Sequence, residues 1–235
     1  MQMKKPKLTL SMVVKNEGDR YLKSALEAHK DFIDAAVIID DGSIDNTVDI
    51  CKEVLHGIPL HLVKNTTSQF SNEVTLRKQQ WEETILTDPG WILNLDADEF
   101  MDASFASKAQ EIVEQHTYEA IYFRLYDMWS PTHYREDQYW SAHQIYRPFM
   151  VRYRPNFPYI WKETPQHCGR FPLSINHFSY MCHPARVKHF GWARKEDRQN
   201  KYNRYQFLDP DAKYGWREQY ESILDEHPNL IEWVE

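Results

Sequence analysis

Short apolar runs and helical stripes alternate along the first hundred residues. Leu8 to Val14 is apolar apart from Thr9 and Ser11 and stops at Lys15-Asn16-Glu17-Gly18, which predicts a buried strand and a break after it. Tyr21, Leu22, Ala25, Leu26 and His29 then recur at helical spacing. Ala35 to Ile39 predicts a second strand, closed by Asp40-Asp41-Gly42-Ser43. A helix starts at Asp45-Asn46-Thr47, whose side chains suit an N-terminus, with Val48, Cys51, Val54 and Leu55 on one side. Pro59 to Val63 is a third strand, Ser71 to Leu86 a helix with Val74, Trp81 and Ile85 toward the core, and Trp91 to Leu95 a fourth strand introduced by Pro89-Gly90. Phe105 to His116 reads as a helix and Ala120 to Tyr126 as a strand. This order predicts parallel crossovers and an α/β fold with a Rossmann-like, mostly parallel sheet flanked by helices. Parallel strands deliver their C-terminal ends to one edge, so Asp40-Asp41 and Asp96-Ala97-Asp98-Glu99 are expected to share a ligand crevice.

Asp96 and Asp98 are two apart, which in an extended chain turns both carboxylates to one side and Glu99 to the other. Two carboxylates about 4 Å apart repel by roughly 4 kcal/mol at an effective dielectric near 20, so the pair is expected to hold a proton or bind a cation. The cation is the reading adopted.

Beyond Tyr126 the periodicity fades and rings crowd in, among them Trp129, Tyr139, Trp140, Tyr153 and Trp161. Half or more belong to a core, and the rest suit stacking on sugar rings or on an aromatic acceptor. Val187 to Phe190 predicts a last strand, followed by a helix carrying Arg194, Lys195, Arg198, Lys201 and Arg204. Gly215 to Glu235, with Trp216, Tyr220, Ile223 and Leu224, reads as an amphipathic helix that packs on the domain or on a partner subunit of a homo-oligomer. The expected organisation is a single domain: a nucleotide-binding half over 1–101, an irregular, aromatic-rich acceptor-side half over 102–215, and a C-terminal helix over 216–235.

Composition narrows the classes. A net charge of −7 argues against a nucleic-acid or anionic-membrane partner. Three scattered cysteines give no disulfide framework and favour a reducing compartment, with the cytoplasm expected. No run reaches membrane-spanning length, and the apolar run after the basic stretch Met1 to Lys7 is too short for a signal segment. His167-Cys168 and Cys182-His183 lack the spaced pairs of a zinc site.

Three motifs in order, Lys15-Asn16-Glu17, Asp40-Asp41-Gly42-Ser43-x-Asp45-Asn46-Thr47 and Leu95-Asp96-Ala97-Asp98-Glu99, resemble the family 2 glycosyltransferases of the GT-A fold. The resemblance covers residues 8–101 and then thins. It implies that Asp40 and Asp41 recognise the base and ribose of a nucleotide-sugar donor, a UDP-sugar by expectation, with Lys15, Asn16 and Glu17 beside it. It also implies that the Asp-x-Asp binds Mn²⁺ or Mg²⁺, Asp98 directly and Asp96 through ribose or water. Only 7 glycines and no Gly-rich phosphate loop leave the diphosphate charge to a metal and to basic side chains, and the resemblance implies Arg77 as one of them, since relatives carry an Arg on the helix before the acidic strand. Lys188-His189-Phe190-Gly191-Trp192 resembles the stretch that supplies a late metal-ligating His, which would tilt the choice toward Mn²⁺. Arg194, Lys195, Arg198 and Lys201 would then close over the diphosphate as a lid.

Most members of that family invert the anomeric centre, with a carboxylate or His taking the acceptor proton. Here Cys168 stands where relatives carry Glu, which leaves the base open between Glu163, His167 and Asp137, with Glu163 slightly ahead. The acceptor stays open among glycan, lipid, peptide and small molecule. The alternatives are a nucleotidyltransferase, which would want a Gly-rich loop after Val14, a phosphohydrolase, which would want Thr or Val at the position of Phe100, and an inactive nucleotide- or glycan-binding module of the same fold.

Overall fold

Seven consecutive buried residues, Leu8–Val14, make β1 the inner strand on which the parallel half of the sheet is laid. A computed structural model describes residues 6–235; the start of the basic N-terminal stretch, residues 1–5, lies outside the described residues. From β1 the chain runs through α1 (Leu22–His29), β2 (Ala35–Asp40), α2 (Thr47–Val54), β3 (Leu60–Lys64), α3 (Glu73–Ile85) and β4 (Trp91–Asn94). β1, β2, β3 and β4 pair in parallel in the order β3-β2-β1-β4. β1, β2 and β4 are buried along their whole length, as expected where helices cover both faces of a parallel sheet. Leu10, Met12, Leu26, Ile38 and Leu93 form one continuous core with Phe105, Phe123 and Phe149 from the second half.

β4 does not lead straight into a helix. After Leu95 a turn at Ala97-Asp98 sends the chain into β5 (Glu99–Met101), which joins the opposite edge of the sheet. α4 (Ala103–Glu114) follows, capped by the Asp102 side chain on the Ser104 amide. β6 (Ala120–Asp127), β7 (His133–Arg135), β8 (Tyr146–Arg152) and β9 (Tyr180–His189) complete the second half of the chain. The eight-stranded sheet reads β3-β2-β1-β4-β8-β6-β9-β5, with β8 antiparallel to β4 and β6, and β9 parallel to β6. β9 starts seven residues before the predicted Val187, because its first half is held by pairing with β6 (Ala120 opposite Tyr180) while alternate side chains face solvent.

α5 (Lys195–Leu208) matches the predicted basic helix. The tail does not form the predicted helix over 216–235. α6 (Arg217–Ser222) is short, and Pro228, which lacks an N–H and restricts the residue before it, separates it from β10 (Leu230–Glu232). β10 pairs antiparallel with β7, Leu230 opposite Arg135. Part of the apolar side of the tail is spent on this chain: Ile223 packs with Trp129, Trp140 and Trp192, and Trp140 Nε1 donates to Ser222 Oγ at 2.8 Å, while Trp216, Leu224 and Val234 are exposed. Among the described residues no helix is long and apolar enough to cross a membrane.

Candidate active site

The C-terminal ends of β1, β4 and β9 open onto a cavity of about 470 Å³. Asp96 and Asp98 both line it, each with its own partners. Arg77, on α3, donates from Nη2 to Asp96 Oδ1 at 3.0 Å. Burial works against ionisation of Asp96, but Arg77 and Arg170 outweigh it and hold the carboxyl well below the usual range. Asp98 lies 3.7 Å from His189 Nε2 and 3.9 Å from Lys201 Nζ.

Strand pairing explains why His189, ninety residues on, meets the acidic turn. β5 against β9 sets Glu99 opposite His189, and the Phe190 amide donates to the Asp98 carbonyl at 2.8 Å. β6 against β9 sets Asp127 opposite His189. The Asp127 carboxylate accepts from Trp192 Nε1 at 3.1 Å and from His189 Nδ1 at 2.8 Å, so Nδ1 carries a proton and Nε2 is turned toward Asp98. Burial and Lys201 lower the His189 pKa, while Asp98 and Asp127 raise it, and the net shift is upward.

Gly191 makes this approach possible. A Cβ there would sit 2.2 Å from Lys201 Nζ, 2.5 Å from His189 Nε2 and 2.6 Å from Asp98 Oδ2. One carboxylate and one imidazole backed by a second carboxylate are a fitting donor set for Mn²⁺ or Mg²⁺. Among the described residues no three His, Cys, Asp or Glu side chains gather as a complete cation site, so oxygens of a bound diphosphate and water would have to finish the coordination.

The turn itself is braced from below. Arg170 donates from Nη1 and Nη2 to both oxygens of Glu99, at 2.9 and 2.8 Å, and Glu99 Oε2 also accepts from the Asp96 amide at 2.9 Å.

Asp40 and Asp41 are fully buried and do not line the cavity. Asp41 accepts from Asn65 Nδ2 at 2.8 Å, from Ser68 Oγ at 2.6 Å and from the Gln69 amide at 2.9 Å, which folds the loop after β3. Its influence reaches the cavity through Ser68, whose hydroxyl also accepts from Lys15 Nζ at 2.6 Å. Asp40 accepts from the Ser43 amide and so shapes the turn after β2. Asn16 ties the loop after β1 to the same turn, its Oδ1 accepting from the Ile44 amide at 2.9 Å.

Glu17 lines the cavity with one carboxylate oxygen buried and unpartnered. Burial above all, with Asp98 adding to it and Arg20 opposing it, pushes its pKa from 4.5 up to about 7. A carboxyl whose pKa is raised on folding makes the native state bind more protons than the unfolded chain, so stability falls as pH rises between those two values. At about 1.4 kcal/mol per pH unit the loss is on the order of 3 kcal/mol. Metal-free Glu17→Gln is therefore expected to flatten the dependence of Tm on pH between about 4.5 and 7 and to unfold at a higher temperature than the parent at pH 8; identical pH profiles would contradict the assignment.

Of the three candidate bases only His167 lines the cavity. Glu163 is 65% exposed on its side chain and pairs with Lys78 at 2.6 Å. Asp137 accepts from Arg135 Nε at 2.6 Å and from the amides of Tyr139 and Trp140. The four predicted lid residues divide as well. Lys201 lines the cavity. Arg194 donates to the Asp19 carbonyl and lies over the Tyr21 ring, Arg198 donates to the Trp192 carbonyl and packs on Trp129, and Lys195 is exposed at the start of α5.

Sequence reasoning missed Asp127, the Arg170–Glu99 pair, Arg204 and Tyr205. Asp127 carried the same signal as Asp40 and Asp96, an acid at the end of an apolar run. Arg170 sits in an irregular loop and carried none.

Comparison with known proteins bears on the whole architecture. The Glycosyl transferase family 2 model matches residues 9–180. Crystal structures of TarS from S. aureus share the fold. One superposes with a TM-score of 0.59 at 14% identity, covering 94% of this chain and 42% of that one. TarS 1–349 gives 0.54 at 14% identity over 93% and 69%, and its complex with UDP-GlcNAc gives 0.50 at 14% identity over 94% and 71%. This chain thus spans less than half of the longer TarS chain. No curated protein matches it in sequence. A match running from β1 into β9, on a mixed sheet of the GT-A kind, settles the assignment: the chain belongs to glycosyl transferase family 2.

Proposed function

We propose that the protein transfers a sugar from a nucleotide-sugar donor, a UDP-sugar by preference, to an acceptor nucleophile, with a divalent cation and inversion of the anomeric centre. One observation carries this reading: Asp96, Asp98 and His189 converge with Lys201 and Arg77 on a single cavity at the C-terminal edge of the parallel strands. TarS, which shares the fold, has been crystallised with UDP and with UDP-GlcNAc, in support of the same donor class here.

Asp98 and His189 would hold Mn²⁺ or Mg²⁺, and the ion, when bound, neutralises charge on the departing diphosphate. Lys201 and Arg204, on one face of α5, add positive charge to the same wall. Arg77 keeps Asp96 ionised and fixed, ready to accept from ribose hydroxyls or water. Lys15, placed by Ser68 and Asp41, and the Phe70 ring beneath its ammonium border the nucleotide side. Trp192 and Tyr205 supply aromatic wall on the acceptor side.

Thermal shift with UDP, with and without Mn²⁺, tests the reading. A ligand at about 100 times its Kd stabilises by roughly 2.7 kcal/mol. For a chain of this size that is a rise on the order of 5–10 °C with Mn²⁺ present, and the rise should vanish in EDTA. Equal shifts with and without the ion would remove the metal from the mechanism, and no shift with any nucleoside diphosphate would remove the donor class.

A further inference from the structure

Hydrogen bonds in the wall of the cavity formed by α5 and the loop before β9, and in α6 packed behind that wall, run in directions that leave no choice of donor. Asp209 closes the loop after α5: Oδ1 accepts from the Lys213 amide at 2.7 Å, and Oδ2 accepts from the amides of Tyr214 and Gly215 at 3.1 Å each. Oδ2 also accepts from the buried Tyr220 hydroxyl at 3.0 Å. Burial opposes ionisation of Asp209, but these donors outweigh it and its pKa is lowered. Burial and Asp209 together push the Tyr220 hydroxyl pKa upward, so it keeps its proton.

An ionised carboxylate can only accept, so the Tyr220 proton points at Asp209. The hydroxyl oxygen is then left to accept from His167 Nε2, which lies 2.8 Å away. With Nε2 protonated, a neutral imidazole has its lone pair on Nδ1. Nδ1 has no hydrogen-bond partner among the described residues, and His167 lines the same cavity as Asp96 and Asp98.

Ring stacking and backbone geometry hold the arrangement in place. Tyr205 and Tyr220 stack at 4.5 Å with 5° between their planes, and His167 lies over Tyr205 at 5.9 Å and 28°. His167 holds a φ of 54°, a backbone region that a non-glycine residue adopts at a cost and that is common at functional sites. A Cβ at Gly215 would lie 1.8 Å from the Tyr220 hydroxyl oxygen, so only glycine lets that hydroxyl reach both Asp209 and His167.

We propose that His167 Nδ1 is the base that takes the proton of an acceptor hydroxyl, with Tyr220 and Asp209 as positioning residues that fix its tautomer. The proposal rests on the glycosyl-transfer reading above. As the acceptor O–H bond breaks, its proton goes to Nδ1 and its electron pair forms the new bond to the anomeric carbon. The bond from that carbon to the diphosphate oxygen breaks, and its electron pair leaves with the nucleoside diphosphate. The imidazolium donates through Nε2 to Tyr220, whose own proton stays directed at Asp209, and it then loses the Nδ1 proton to solvent.

The charges around the ring suit a base. Burial is the largest influence and lowers the His167 pKa; Glu73 on α3 and Asp209 raise it, and Lys162 in its own loop and Arg204 on α5 lower it. The net shift is downward from 6.5, so the ring is neutral at pH 7. Rate should rise with pH through a value below 6.5 and then level off.

Two measurements on the full chain test this. In histidine-labelled protein, ¹⁵N spectra at pH 7 should show His167 protonated on Nε2 and bare on Nδ1, and Tyr220→Phe, which keeps the ring stack, should admit both tautomers. In steady-state release of UDP from UDP-GlcNAc with water as acceptor, His167→Ala should lower kcat by about 10²–10⁴-fold. KM and the UDP-induced thermal shift should hold, and added imidazole should restore part of the rate. Tyr220→Phe and Gly215→Ala should each lower kcat by roughly tenfold and move the acid limb of the pH profile. Wild-type kcat in His167→Ala, or a protonated Nδ1 in a parent protein that binds UDP, would overturn the proposal alone. A parent protein that is not stabilised by UDP would overturn the donor reading and this step with it.

Discussion

Asp98→Asn is expected to lower sugar transfer by on the order of 10³-fold and to abolish the Mn²⁺-dependent part of UDP stabilisation, while the metal-free protein unfolds within a few degrees of the parent. The substitution is isosteric and leaves the backbone in place, where the Asp98 carbonyl accepts from the Phe190 amide at 2.8 Å. What disappears is the negative charge facing His189 Nε2 at 3.7 Å and Lys201 Nζ at 3.9 Å. A metal at a leaving group contributes several kcal/mol to the transition state, and each 1.36 kcal/mol is a factor of ten, which sets the scale of the loss. The checks are kcat on the donor that gives the largest thermal shift, and the same shift repeated in the variant with and without Mn²⁺. Wild-type turnover in Asp98→Asn would take Asp98 out of the site; a matching loss of Tm would mean that the residue supports the fold instead.

How far this site was legible depended on whether its parts were local. β1, β2 and β4 announce themselves because strands buried on both faces are mostly apolar, and each ends where the acids or the Lys15-Asn16-Glu17 break begin. Asp96 and Asp98 follow from that rule. The chemistry of Asp41 was legible as charge, but its partners Asn65, Ser68 and Gln69 lie in a loop whose path no periodicity reveals. β5 is three residues long and opens with an acid whose side chain is buried, so neither length nor alternation marks it. With β5 hidden, nothing in the pattern could bring His189 or Asp127 to Asp98; the resemblance alone pointed to His189. The tail misled for a related reason. Tyr220, Ile223 and Leu224 have helical spacing, but Pro228 and the pairing of β10 with β7 confine the helix to six residues. Tyr220 sits on this short helix and meets His167, where the spacing predicts a long helix packed on the domain or on a partner subunit.

The largest stability effect is expected at Glu99 and Arg170. They form a two-point ion pair in which the Glu99 side chain is 2% exposed and that of Arg170 17%. Removing one partner of a buried pair leaves the other uncompensated and costs about 3–5 kcal/mol, but the two halves should fail differently. Arginine cannot shed its proton in a protein, and burial already works against the Arg170 charge that Glu99 sustains. Glu99→Ala should therefore cost about the same from pH 5 to pH 8, offset in part by the Asp96 and Glu73 carboxylates nearby, and it also strips the Asp96 amide of its acceptor. In Arg170→Met the stranded group is a carboxyl, which can take up a proton. Its folded pKa would rise above the unfolded value of about 4.3, so the native state binds the extra proton between those values and stability falls as pH rises through that window. Urea unfolding at pH 5 and pH 8 separates the two: a flat penalty for Glu99→Ala against one that grows with pH for Arg170→Met. Penalties below about 1 kcal/mol in both variants would show that the pair behaves as an exposed ion pair, and the acidic turn would then owe its position to the β5–β9 pairing alone.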